Sequence, residues 1–222
     1  MSRRFSERLF SETEELWKEA VNKPFVKKMA DGTLETRKYR NYMLQDYLYL
    51  IEYLDLLKEI LERSKDASLR VFLERILRGT QEETERMHLP AMKDLGITDS
   101  DIRNAVMMQV LQEYIGYMKR QIQEEGFVAG LVALLQCSWA YAYIGQMVSE
   151  RDKESLSASP YKSWFSAYTC DSYLEANQTW IDLADRETKD LDDVRKERLC
   201  TMFQTCARYE NRFWDDLENR PR

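Results

Sequence analysis

The stretch Phe127–Val148 carries no charged residue, so a helix formed there needs apolar surroundings on almost every side. Those surroundings are either a bilayer, which takes roughly 20 apolar residues to cross, or a shell of other helices. The stretch includes Gly130, Gln136, Ser138, Gly145 and Gln146, and it is flanked by Glu124 and Glu125 before and Glu150 and Arg151 after. That is not the Lys/Arg asymmetry that orients a membrane span. The reading is a central helix buried by its neighbours, with no membrane as partner. Only 7 glycines and 4 prolines in 222 residues, against 32% charged residues, leave the rest of the chain free to supply those neighbours as amphipathic helices with short loops. Strand patterns are nearly absent. The expectation is an all-α multi-helix bundle with a buried central helix, organised as a single domain over residues 1–222.

Helix boundaries follow from caps and breakers. Ser11-x-x-Glu14 and Thr80-x-x-Glu83 fit the capping-box pattern, Ser159-Pro160 reads as an N-cap followed by proline at the first helical position, and Asp31-Gly32, Gly96 and Gly126 mark stops. The expected helices cover about 4–22, 24–30, 36–63, 67–95, 99–125, 127–151, 160–168, 170–187 and 190–218, with a polar loop over 151–159.

Composition excludes several functions. Net charge is −6, and basic residues alternate with acids instead of forming a stripe, which argues against nucleic-acid binding. The segment Met-Ser-Arg-Arg-Phe-Ser-Glu is followed by no apolar run, so no secretory signal is expected. Cys137, Cys170, Cys200 and Cys206 form no CxxC pair, and reduced thiols in a cytoplasm are the simplest reading. The chain has 1 histidine. Glu85-x-x-His88 resembles half of a carboxylate-bridged di-iron site, but such sites need a second copy. Haem ligation lacks a histidine in the first helix, and no phosphate-cradling glycine loop is present. No metal and no cofactor are expected, and His88 reads as a helix histidine hydrogen-bonded to a neighbour.

Three polar residues interrupt inward helix faces. Phe203, Ala207, Glu210, Phe213, Trp214 and Leu217 follow three-and-four spacing, as do Tyr39, Tyr42, Met43, Asp46, Tyr49, Leu50 and Tyr53. Each face carries one acid. Even an uncharged polar group costs about 2–7 kcal/mol to bury unpaired, so acids at such positions point to an enclosed polar pocket. Cys137 lies in the uncharged stretch and adds a thiol. The alternatives at this point are a cysteine that merely fills the core, and acids paired with Arg208, Arg212 or Arg40 at a surface.

Five segments in order resemble the TenA family, also called thiaminase II, over nearly the whole chain: Pro24-Phe25-Val26 with Asp31-Gly32-Thr33-Leu34; Gln45-Asp46-Tyr47-Leu48-Tyr49-Leu50; Cys137-Ser138-Trp139-Ala140-Tyr141; Tyr161-x-x-Trp164-x-x-x-Tyr168; and Tyr209-Glu210-x-x-Phe213-Trp214. The family commonly has His-Pro-Phe where this chain has Lys23-Pro24-Phe25, a change expected to bear on packing. Cys137 places the chain in the cysteine-bearing class. The resemblance implies a haem-oxygenase-like fold, no cofactor, a homotetramer and a small-molecule pyrimidine substrate. The implied reaction hydrolyses 4-amino-5-aminomethyl-2-methylpyrimidine, and thiamin as well, to the hydroxymethylpyrimidine reused in thiamin synthesis.

The implied roles are Cys137 as nucleophile on a ring carbon and Glu210 as proton donor and acceptor. Asp46 would accept from the exocyclic amino group; Tyr49, Tyr114, Tyr141 and Tyr168 would line the pocket, and Phe213 would stack on the ring. Asp46, Cys137 and Glu210 are expected to converge. A non-catalytic pyrimidine- or vitamin-binding protein is the competing reading, though binding alone needs neither nucleophile nor proton donor. A cofactor-free oxidase of the pyrroloquinoline-quinone type would call for a histidine-bearing pocket, which 1 histidine does not supply.

Overall fold

The computed structural model describes residues 4–219. Every regular element among them is helical: α1 Phe5–Asn22, α2 Pro24–Ala30, α3 Thr36–Arg63, α4 Ala67–Glu83, a π-helical turn Thr84–His88, α5 Leu89–Asp94, α6 Asp99–Asn104, α7 Gln109–Glu125, α8 Phe127–Arg151, α9 Lys153–Ala158, α10 Lys162–Thr169, α11 Asp171–Thr188 and α12 Asp193–Asn219. The chain divides into two compact units. One holds the residues up to Leu34 together with those from Leu131 onward, and the other runs Glu35–Gly130.

In the first unit α1 packs along α12 and α11, and α2 packs against α12 and α1. The α1 contact follows from sequence: Leu9, Thr13, Trp17 and Ala20 recur at helical spacing and are buried. Trp17 sits among Phe10, Trp139, Tyr143 and Phe203, with ring centroids 5.3–5.9 Å away. Lys23, at the α1–α2 joint, is buried, and its Nζ donates to Glu19 Oε1 and Asp215 Oδ2 at 2.7 Å each. Burial pulls its pKa down, but the two carboxylates outweigh burial and leave it raised. The lysine before Pro24-Phe25 thus clasps the joint to α12, in keeping with a packing role.

In the second unit α3 packs against α4, α5, α7 and the π-helical turn. Tyr42, Met43, Asp46, Tyr49 and Tyr53 are buried on α3 as the spacing predicts, with Tyr39 and Leu50 half-buried. Two expected helices are interrupted. Helix 67–95 widens at Thr84–His88, and helix 99–125 breaks at 105–108. The break is held by the buried Gln45, whose Nε2 donates to the Val106 carbonyl at 3.1 Å and whose Oε1 accepts from the Met108 N–H at 2.7 Å.

The caps differ in part from those expected. Ser11 and Thr80 lie inside α1 and α4, while the reciprocal capping box is Thr98 with Asp101 at the start of α6. Ser159 instead accepts from the Tyr161 N–H and donates to the Met29 carbonyl, two residues ahead of the cap of α10. The stops at Gly32, Gly96 and Gly126 are as read, with φ of 77°, 73° and 84°. A short helix, α9, occupies most of the expected 151–159 loop.

Helix α8 has the length and composition to cross a bilayer, but 72% of its most apolar window is buried inside the protein. Residues 129–136 form a continuous buried run. Gly130 permits it in the second unit, because a Cβ there would lie 2.4 Å from Ile60 Cγ2 and 2.9 Å from Ile122 Cγ1. Replacing glycine by alanine in a helix gains about 1 kcal/mol of propensity, whereas overpacking a tight core costs about 1–3 kcal/mol. With both isoleucines fully buried, the clash wins. Gly130→Ala is expected to lower the unfolding free energy by a net of up to about 2 kcal/mol, while Gly79→Ala, exposed on α4 with nothing within 4 Å of its added Cβ, raises it by about 0.5–1 kcal/mol. Chemical unfolding of both variants checks this; a stabilised Gly130→Ala would refute the packing argument.

Candidate active site

The candidate residues fall in both units. Asp46, Tyr49 and Tyr114 belong to the second; Cys137, Tyr141, Tyr168, Glu210 and Phe213 belong to the first.

In the first unit the apolar stripe of α12 is buried throughout, and Glu210 is buried within it at 5% exposure. Phe203 and Trp214 lie on the same face, two turns before Glu210 and one turn after it. Their rings meet those of Trp139 and Tyr141 on α8, with centroids 6.3 and 6.0 Å apart. Cys137 lies one turn before Tyr141. The side of α12 that carries Glu210 therefore lies against the part of α8 that carries Cys137. The wall continues into α10: Tyr141 packs edge-on against Tyr168 at 5.0 Å, and Trp164 lies 4.8 Å from Tyr168 and 6.2 Å from Trp214. Phe213 is buried, its ring 5.7 Å from Trp214. Tyr173 of α11 extends the edge-to-face series and donates to the Ser138 carbonyl at 3.1 Å.

Cys137 is half-buried, more open than the buried run before it, as are Ser138 and Trp139. That suits a nucleophile, which has to be reached. The other thiols divide sharply. Cys200 and Cys206 are buried, and burial together with Glu12 pushes the Cys200 thiol up to about 12; Cys170 is exposed.

In the second unit Tyr49 stacks on Tyr114 at 5.8 Å with planes 22° apart, and Tyr53 flanks it at 5.9 Å. Asp46, one turn before Tyr49, is buried at 5% exposure and its Oδ2 lies 2.7 Å from His88 Nε2. Its partner is this histidine; Arg40 donates instead to the Gly96 carbonyl. A carboxylate can only accept, so the hydrogen of this pair sits on Nε2. Burial pulls the His88 pKa down, but the hydrogen bond to Asp46 and the charges of Asp46 and Glu83 outweigh it and leave it raised. The half-buried Glu83 is itself raised, by burial first and by Asp46, against the pull of His88. His88 is thus the hydrogen-bonded helix histidine expected from the sequence, and its partner is Asp46. Its partnership with Asp46 depends on the π-helical turn, which no residue pattern marks.

The TENA/THI-4/PQQC family matches residues 10–220. An aminopyrimidine aminohydrolase of Halalkalibacterium halodurans is 31% identical across 97% of this chain and 96% of its own length. Another, of Helicobacter pylori, is 30% identical across 95% of this chain and 96% of its own. Among solved structures, a TenA homologue from P. horikoshii superposes with a TM-score of 0.85 at 25% identity, over 97% of this chain and 98% of its own. A TenA homologue from Pyrococcus furiosus reaches 0.86 at 21% identity, over 96% and 99%. The chain belongs to the TENA/THI-4/PQQC family and has the all-α, haem-oxygenase-like fold of its TenA members. It is a hydrolase.

Because His88 is the chain's 1 histidine, its imidazole signals in a proton–carbon NMR spectrum are unambiguous. The titration midpoint is expected above the ordinary 6.5. A folded value raised above the unfolded one means that the histidine's contribution to stability is complete below about 6.5 and is lost as pH rises through the folded value. The stability difference between the parent chain and His88→Gln should shrink across that interval. A midpoint at or below 6.5 would contradict the pairing.

Proposed function

We propose that the chain hydrolyses 4-amino-5-aminomethyl-2-methylpyrimidine to ammonia and the 5-hydroxymethyl product, with thiamin as a second substrate cleaved at the same methylene. The observation that carries this reading is full-length similarity to two aminopyrimidine aminohydrolases in a chain whose accessible thiol and buried acid lie on apposed stretches of α8 and α12.

In the proposed reaction the Cys137 sulfur adds to a ring carbon as a ring nitrogen takes a proton from Glu210, which breaks the ring's conjugation. The methylene carbon–nitrogen bond then breaks, and the amine, having taken the thiol's proton, leaves as ammonia. Water adds at the methylene, its proton passing to Glu210, and the carbon–sulfur bond breaks as the ring-nitrogen proton returns to the sulfur, which restores the aromatic ring and the thiol. The sum is substrate plus water to alcohol plus ammonia. Asp46 accepts from the exocyclic amino group, Tyr49, Tyr114, Tyr141 and Tyr168 contribute to the walls, and Phe213 stacks on the ring. The flat aromatic surroundings of these residues support a heteroaromatic ligand. The competing reading, a binding protein without turnover, leaves the thiol and Glu210 without a task. The span of the family match supports one functional domain, and we place the protein in the cytoplasm as a homo-oligomer, a tetramer by resemblance.

An ammonia-release assay with the aminomethyl pyrimidine, run beside a thiamin-cleavage assay, tests the function. Turnover of neither compound, with the pyrimidine still bound, would favour the binding protein. For the mechanism, Cys137→Ser should keep product binding and lose most turnover, since a hydroxyl is a far poorer nucleophile at neutral pH. Glu210→Gln should lower kcat by about 10²–10⁴-fold. Asp46→Asn should weaken binding along with rate, because an amide nitrogen sets a donor against the substrate's own. Near-normal kcat in Cys137→Ser would replace covalent catalysis by direct attack of water.

A further inference from the structure

His88 takes no part in the chemistry above, yet it holds one of the acids on which substrate binding is read. The chain leaves α-helical geometry for the turn that ends on it, Thr84–His88, which is inserted between α4 and α5. A single π-helical turn loosens the hydrogen-bond ladder and re-aims the side chains beyond it, and such turns are frequent at functional sites. Glu85, Arg86 and Met87 are exposed while Thr84 and His88 are buried. The buried Thr84 hydroxyl is spent locally on the Thr80 carbonyl at 2.7 Å. The side chain that the turn delivers outward to another helix is His88, which reaches Asp46 Oδ2 on α3 at 2.7 Å with the two side chains 11% and 7% exposed.

We infer that His88 is a positioning residue for Asp46: its Nε2–H fixes Oδ2 and so presents Oδ1 as the acceptor for the exocyclic amino group of the aminopyrimidine. This rests on the assignment of Asp46 to substrate binding. The two oxygens of an aspartate exchange by rotation about one torsion, and an acceptor that must meet a donor at a fixed point in a pocket needs that rotation stopped. A hydrogen bond between buried groups stops it. Asp46 Oδ1 accepts no hydrogen bond from the described residues. Of the charged groups on the helices packed against the turn, Asp46 from α3 and Glu83 from α4 act on His88, so the imidazole is set between two acids and is biased to remain a donor.

The test compares His88→Gln, His88→Asn, Asp46→Asn and the double variant Asp46→Asn/His88→Asn. The measurements are steady-state kinetics with the aminomethyl pyrimidine and equilibrium binding of the hydroxymethyl product. A glutamine amide nitrogen reaches the place of Nε2 and restores the donor; the asparagine amide nitrogen stands at the place of Nδ1 and falls short. Both variants keep a polar side chain in the turn, which separates positioning from folding. His88→Asn is expected to raise KM and the product Kd by roughly tenfold or more, with kcat changed less, and His88→Gln to recover to within about threefold. In the Asp46→Asn background the His88→Asn change should add nothing, because coupled residues are not additive. Equal losses in His88→Gln and His88→Asn, or a loss that adds in full to that of Asp46→Asn, would overturn the positioning role. Unchanged binding in His88→Asn alongside impaired binding in Asp46→Asn would remove His88 alone. Unchanged binding in Asp46→Asn would remove the assignment of Asp46, and this inference with it.

Discussion

An acid turned toward the interior of a helical protein has to be answered by a donor, since taking a carboxylate out of water costs several kcal/mol. Much of the second unit is arranged around one such answer. Asp46 lies on the face of α3 that also buries Tyr42, Tyr49 and Tyr53, and the donor comes from a helix that widens by a turn to deliver it. The residue before it, Gln45, faces another break in helical geometry and satisfies both an N–H and a carbonyl left open at 105–108. Adjacent positions on α3 thus support two departures from regular helix in the elements around it.

The first unit handles its charge differently. Lys23 is a buried cation matched by two carboxylates that remain about half exposed, so the ion group keeps one side in water and its net worth is small. What fixes the geometry near Cys137 and Glu210 is aromatic packing. Edge-to-face and tilted rings contribute about 0.5–1.5 kcal/mol per pair beyond burial, and they leave flat surfaces beside both side chains. A rigid aromatic frame around one half-buried thiol and one buried acid is the kind of preorganisation that the proposed reaction calls for.

Most of this was legible in the sequence wherever periodicity carried it. The α12 stripe from Phe203 to Leu217 is buried residue by residue as its spacing predicts, and the uncharged stretch is a core helix. What escaped is tertiary in origin. Ala105-Val106-Met107-Met108 contains no breaker, and the helix parts there because Gln45, some sixty residues earlier, offers its backbone better partners. The π-helical turn is equally silent, since Thr-Glu-Arg-Met-His is compatible with a plain helix. The capping-box pattern misled at Ser11 and Thr80 because Ser/Thr-x-x-Glu spacing also arises inside helices. His88 was visible but could not be valued, because its meaning lies in the residue it meets.

The unequal surroundings of the four thiols bear on how the enzyme can be counted. Two are sealed in the core, one of them with its ionisation displaced far above neutrality, and one stands exposed at the start of α11. With Cys170 replaced, a small alkylating reagent meets a single reachable sulfur, Cys137, because reaction requires both access and thiolate. On the proposed placement of Cys137 in the pyrimidine pocket, the amount of reagent consumed, and the part of it that the pyrimidine product protects, would measure the fraction of molecules with an intact pocket. A preparation can be standardised in this way by stoichiometry, independently of its turnover rate.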